Sequence, residues 1–176
     1  ESFIGHGMKN NGNTCYFNSL IQSLLSCTAV TAFFLNKKNK YIRDNNKVAL
    51  EYIKLINTIK YCRETTIINP KRLLESIISA VKIKYPNKEF GNSRQEDSGE
   101  LFTLFLDIID DPELYKYFMY KYLVKIWCFN CLKQITESVD KSCILEVSYN
   151  LSGFTIENKD FKSNKFNTHL YQYMTI

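Results

Sequence analysis

Residues Gly12–Leu25, GNTCYFNSLIQSLL, carry a short polar run into an apolar helical period, with a cysteine at the junction. Phe17, Leu20, Ile21, Leu24 and Leu25 follow Cys15 at helical spacing and share one face. Asn13 or Thr14 is placed to cap that helix. Cys15 then falls in the first turn, where backbone N–H groups have no helical partner. Those donors and the helix dipole favour negative charge, so a thiolate gains there. A free thiol titrates near ~8.5, and reactive ones at helix N-termini fall to roughly 3.5–7.5. Asn10 lies in the same loop, and its side-chain amide can donate to an oxyanion. The competing interpretation of Cys15 is a small buried thiol that only packs.

Outward from this stretch, the chain has 176 residues, 45% hydrophobic and 23% charged. That is an ordinary globular balance, with enough apolar surface for a sizeable core. No apolar run reaches the ~18 residues that a membrane span needs. The net charge is +5, and lysines scatter through runs such as NKKNKYIRDNNK rather than lining one stripe. This predicts a weakly basic solvated surface, with neither nucleic acid nor membrane as partner. Six cysteines at irregular spacing, with no signal pattern, point to a reducing compartment, cytoplasmic or nuclear. The start ESFIGHGMKN lacks an initiator methionine, which suggests a piece of a longer protein.

Helical patterns run to about Asp110. Ala49, Tyr52, Ile53, Ile56 and Ile59 form a second stripe, and Leu73, Leu74, Ile77, Ile78 and Val81 a third. Asn69 with Pro70 reads as a cap followed by a first-turn proline. SRQE predicts a fourth helix starting with a capping box, Ser93 with Glu96. Its apolar face is Leu101, Phe102, Phe105, Leu106 and Ile109, with Gly99 inside at a cost of about 1 kcal/mol relative to alanine. After DDPE, the segments YFMYKYLVKIW, KQITESV and CILEVSYNL are aromatic and β-branched, with CFNC as a turn between strands. A helical half, 1–112, followed by a strand half, 113–176, predicts an α+β fold.

MKNNGNTCYFNSLIQSLL resembles the cysteine box of the ubiquitin-specific protease family. Asn10, Gly12, Asn13, Thr14, Cys15, Tyr16, Asn18, Ser19, Gln22 and Leu24 match its pattern in register. FGNSRQEDSGELFTLFLDII is similar to the family's Q-Q-D-A-x-E-F block, with Gln95, Asp97 and Glu100 matching and Glu96 in place of the second glutamine. The resemblance implies a papain-like cysteine peptidase, with 1–112 as a helical thumb and 113–176 as an incomplete fingers and palm portion. It implies a deubiquitinase acting on ubiquitin or ubiquitinated proteins. Cys15 would be the nucleophile and Asn10 an oxyanion donor. Asp97, with Gln95, would hold the basic tail of ubiquitin, where carboxylate meets guanidinium. Cys128 and Cys131 form a C-x-x-C pair, which can hold half of a tetrahedral structural zinc site. Catalysis itself requires no cofactor.

A cysteine protease needs a base beside the thiol. The chain has two histidines. His6 reads as a loop residue. His169 and Tyr173 keep the His-to-Tyr spacing of the family's histidine box, but Thr168 and Leu170 depart from it. The expectation is therefore a base outside this segment, in a longer enzyme. The alternative from another class is a catalytically inactive ubiquitin-binding module. A basic adaptor for nucleic acid ranks last.

Overall fold

The computed structural model describes residues 6–62, 66–91, 94–127, 133–144 and 170–171. It divides into two compact units, Glu1–Tyr117 and Phe118–Ile176. The first is helical: α1 (Cys15–Ser26), α2 (Thr28–Asn36), α3 (Lys38–Arg43), α4 (Lys47–Tyr61), α5 (Lys71–Lys84), α6 (Ser98–Ile109) and α7 (Pro112–Phe118). The second carries β1 (Tyr120–Trp127), β2 (Gln134–Ser142) and β3 (Leu170–Tyr171). Helices with a small antiparallel sheet make the chain α+β, as its pattern predicts.

The amphipathic stripes become the core of the helical unit. Phe17, Ile21, Leu24 and Leu25 of α1 are buried, as are Tyr52, Ile53 and Ile56 of α4 and Leu73, Ile77 and Val81 of α5. Leu20, Ile78 and Phe102, at the edges of their stripes, are half-buried. Phe34 of α2 is the centre of an aromatic cluster. It stacks on Tyr41 at 5.6 Å between centroids and meets Tyr52 edge-on at 4.6 Å and Phe105 at 6.1 Å. Such pairs add about 0.5–1.5 kcal/mol each beyond area burial. Among the described residues, no single helix is long and apolar enough to cross a membrane. α1 and α2 turn by 83° at Cys27, so both can lay apolar residues into the same core.

Two helix starts differ from expectation. α6 begins at Ser98 with Asp97 as its cap, and Asp97 Oδ1 accepts from the Glu100 N–H at 2.8 Å. Ser93 lies outside the described residues, and Glu96 does not cap: its Oε1 accepts from the Gly91 N–H at 3.2 Å. The physical reason is that Asp97–Glu100 has the same one-to-four spacing as Ser93–Glu96, with a charge-assisted acceptor at the dipole's positive end. Gly99 therefore sits in the first turn rather than the interior, where it costs less. At α5, Pro70 takes the cap position itself, while Asn69 Oδ1 accepts from the Lys71 N–H at 3.2 Å.

The α4 cap is built by tertiary contact as well as local chemistry. Asn46 Oδ1 accepts from the Ala49 N–H at 3.0 Å. Its Nδ2 donates to the Ile108 and Ile109 carbonyls at 3.2 and 3.3 Å, tying the start of α4 to the end of α6. Gly91 has φ +77, and a Cβ there would sit 2.6 Å from Cγ1 and Cδ1 of Ile78. Gly91→Ala is therefore expected to destabilise the helical unit by about 1–2 kcal/mol, from left-handed backbone strain and displacement of Ile78. Urea denaturation of wild type and variant checks this.

In the second unit, β1 pairs antiparallel with β2 from Tyr120↔Ser142 to Trp127↔Gln134, with a register irregularity between Ile126 and Trp127. β3 pairs on the other side of β1, through Leu123↔Tyr171 and Val124↔Leu170, giving the order β2-β1-β3. The segments YFMYKYLVKIW and KQITESV supply β1 and β2, except that Tyr117 and Phe118 still belong to α7. The CFNC segment and most of CILEVSYNL lie outside the described residues.

Candidate active site

The loop before α1 is shaped by two successive left-handed residues, Gly12 at φ 83 and Asn13 at φ 40. Asn10 closes that turn. Its Oδ1 accepts from Thr14 Oγ1 at 2.9 Å and from the Thr14 N–H at 3.2 Å. Thr14, 7% exposed, is the N-cap residue, but its hydroxyl does not cap the helix. It accepts instead from the Asn11 N–H at 3.1 Å. The expected cap position is right and the expected cap bond is absent. The reason is competition: the loop's own donors reach Thr14 Oγ1 first. The consequence bears on chemistry, because the cap side chain leaves the first-turn N–H groups of α1 to other partners. Cys15 is the first residue of α1 and is exposed. The packed-thiol interpretation does not describe it.

The strap leading into this turn is sewn down along its length. Met8 forms a parallel bridge with Ile68; Lys9 N–H donates to the Ile68 carbonyl at 2.8 Å and Ile68 N–H to the Gly7 carbonyl at 2.9 Å. From α1, Asn18 Nδ2 donates to the Lys9 carbonyl and Gln22 Nε2 to the His6 carbonyl, both at 3.3 Å. Residues four apart on the helix thus grip residues three apart on the strap. Asn11 Nδ2 donates to Asn69 Oδ1 at 3.1 Å, and that oxygen also takes the Lys71 N–H. His6 is consequently held by the second turn of α1 rather than its first, as a loop residue.

α1 also packs on α6, the helix that carries the second motif. Gln95 and Asp97 are exposed at the start of α6. Tyr16, beside Cys15, is 7% exposed and meets Phe90 edge-on at 6.3 Å. Its phenol is pushed above the ordinary range by burial first, then by the Glu96 carboxylate and the Cys15 thiol. Tyr16 thus feels both motifs. Glu100 is engaged by Lys88 at 2.5 Å. His169, Cys128 and Cys131 lie outside the described residues. Among the described residues no three His, Cys, Asp or Glu side chains gather as a metal site.

Of the residues that the sequence singles out, Cys15 and Asn10 lie in one turn, and Gln95 and Asp97 lie at the start of α6. The sequence misses Glu96 as a loop tether and Asn69 as a strap anchor. Both read as helix-start signals, since local spacing cannot tell a cap from a longer reach.

The structure thus places an exposed sulfur on the first residue of α1, in a loop set by Asn10. The chain belongs to the ubiquitin carboxyl-terminal hydrolase family, whose model matches residues 6–113. A protein of Schizosaccharomyces pombe described as probable ubiquitin carboxyl-terminal hydrolase 1 is 33% identical over 108 residues. The match covers 57% of this chain and 12% of that protein.

Proposed function

We propose that the chain is the nucleophile-bearing part of a papain-like, ubiquitin-specific cysteine protease. The observation that carries this is the exposed Cys15 at the uncapped start of α1. The Cys15 thiolate attacks the carbonyl carbon of ubiquitin's terminal glycine. The carbonyl electrons move to oxygen, and the oxyanion is met by the Asn10 amide, whose carbonyl end is already committed to Thr14. Collapse expels the amine, which takes a proton from the general acid, and leaves a thioester. Water, deprotonated by the same group, then releases ubiquitin and restores the thiol. His169 is the chain's own candidate for that group; a base outside this segment is preferred, because Thr168 and Leu170 depart from the family's histidine box. The reaction uses protein groups and water. Cys128 and Cys131 are assigned to a structural zinc half-site with no part in bond making. Action inside the cell, in cytoplasm or nucleus, suits a free reactive thiol.

The partner is ubiquitin or a ubiquitinated protein, held by Asp97 and Gln95 through its basic tail. Asp97→Arg is expected to weaken ubiquitin binding about tenfold or more, since a charge-assisted contact becomes a repulsion. Calorimetric titration checks it, and an unchanged affinity removes Asp97 from the contact. Glutamate at position 97 preserves the charge and serves as the folding control. The deciding experiment for the whole assignment is incubation with a ubiquitin bearing an electrophilic C-terminus, read by mass. A stable adduct supports the hydrolase. Reversible binding without an adduct supports an inactive ubiquitin-binding module.

A further inference from the structure

We propose that Glu96 is a positioning residue that holds the substrate-facing edge of α6 in register with the nucleophile by clamping the backbone of Gly91. The proposal rests on the ubiquitin-directed assignment above. Three independent contacts define the clamp. Phe90, 1% exposed, is wedged against Tyr16, the residue next to the nucleophile. Gly91 then turns with φ +77 so closely over Ile78 that a side chain has no room. Glu96 in turn accepts the Gly91 N–H at 3.2 Å.

The cap of α6 lies directly beside Glu96. Asp97 follows Glu96 directly, and Gln95 precedes it. Both are exposed, and neither side chain is gripped by the core. Asp97 spends one oxygen on its own helix, at the Glu100 N–H. That bond is local and travels with the helix end, so it cannot tie that end to the rest of the helical unit. The Gly91–Glu96 bond can, because Gly91 is fixed by Phe90 and Ile78. Loss of the clamp leaves α6 folded and frees its leading edge, which costs substrate affinity rather than stability. The acceptor oxygen matters for this role, and the negative charge does not.

Wild type, E96A, E96Q and E96D are titrated with ubiquitin, and amide hydrogen exchange at Gly91 is followed by NMR. Glutamine keeps an Oε1 acceptor at the same reach. Aspartate keeps the charge but is one methylene shorter. E96A and E96D are expected to bind ubiquitin up to about tenfold more weakly and to exchange Gly91 faster, the scale of losing one ordinary hydrogen bond. E96Q is expected to restore both. Weak binding by E96Q, or wild-type affinity in E96D, shows that charge is what counts and overturns the proposal. Wild-type affinity in E96A overturns it as well. Failure of the wild-type chain to bind ubiquitin shows in the first titration; it overturns the functional assignment, and this inference with it, while Gly91 exchange still reports the clamp.

Discussion

Cys15→Ala is expected to abolish covalent capture by a ubiquitin electrophile completely while leaving reversible ubiquitin affinity within about twofold. Alanine removes the sulfur that forms the bond and nothing that holds the loop. The strap is held by Asn18, Gln22, Ile68 and Asn69, and the turn by Asn10 and Thr14. Removing a catalytic nucleophile of this kind costs on the order of a millionfold in rate, so hydrolysis by the intact enzyme is expected to become undetectable. Cys27 supplies the control. It is exposed as well, and it stands at the cap of α2, so an indiscriminate alkylating agent has no reason to spare it. A probe guided by ubiquitin does, because on the proposed mechanism capture requires alignment with Asn10 and with Asp97 and Gln95. Capture that persists in C15A and disappears in C27A removes the proposed mechanism.

Asp111→Ala is expected to cost about 3 kcal/mol of stability, because it removes a buried carboxylate that accepts from four donors and leaves the buried Tyr41 hydroxyl without it. Asp111 is 1% exposed and carries the ends of three helices. It accepts from Lys40 Nζ at 2.8 Å, Lys37 Nζ at 3.2 Å and the Tyr41 hydroxyl at 3.2 Å, and it caps α7 through the Glu113 N–H at 3.0 Å. Burial alone would raise its carboxyl pKa. Hydrogen bonds from Lys40, the Glu113 backbone and Lys37 outweigh burial and hold it down at about 2. Tyr41 is pushed the other way, by burial and then by the Asp111 charge.

The sign of the pH effect follows from that depression. An aspartate free in the unfolded chain titrates near ~3.9. The folded state therefore binds its proton later, and the stabilisation is fully present above that range. It is lost as the pH falls from about 4 towards about 2. Urea denaturation of wild type and D111A should show a gap of about 3 kcal/mol at neutral pH that narrows through this window. A constant gap down to pH 2 would mean that the carboxylate's charge contributes nothing.

NKKNKYIRDNNK shows why such a cluster escapes a reading along the chain. By spacing it is a solvated basic surface, and Lys38 and Arg43 fit that description. Lys37 and Lys40 do not, because an aspartate more than 70 positions away sits beneath them. Likewise, α2 lacks a clean amphipathic stripe, since Val30, Thr31, Phe33 and Phe34 are all buried on a short helix.

By itself, the order of residues determined what depends on near neighbours: the helices with 3.6-residue stripes, the change to strands after α7, and a cysteine on the first residue of a helix. These follow from backbone sterics and from which side chains can share a face, and they need no distant partner. Only the tertiary structure decided which caps form, that Cys15 faces solvent, that Glu96 reaches back to Gly91, and that Asp111 binds two lysines. Polar groups in a short stretch have several local partners of similar energy, and the choice is made by which of them packing buries or brings within hydrogen-bond reach.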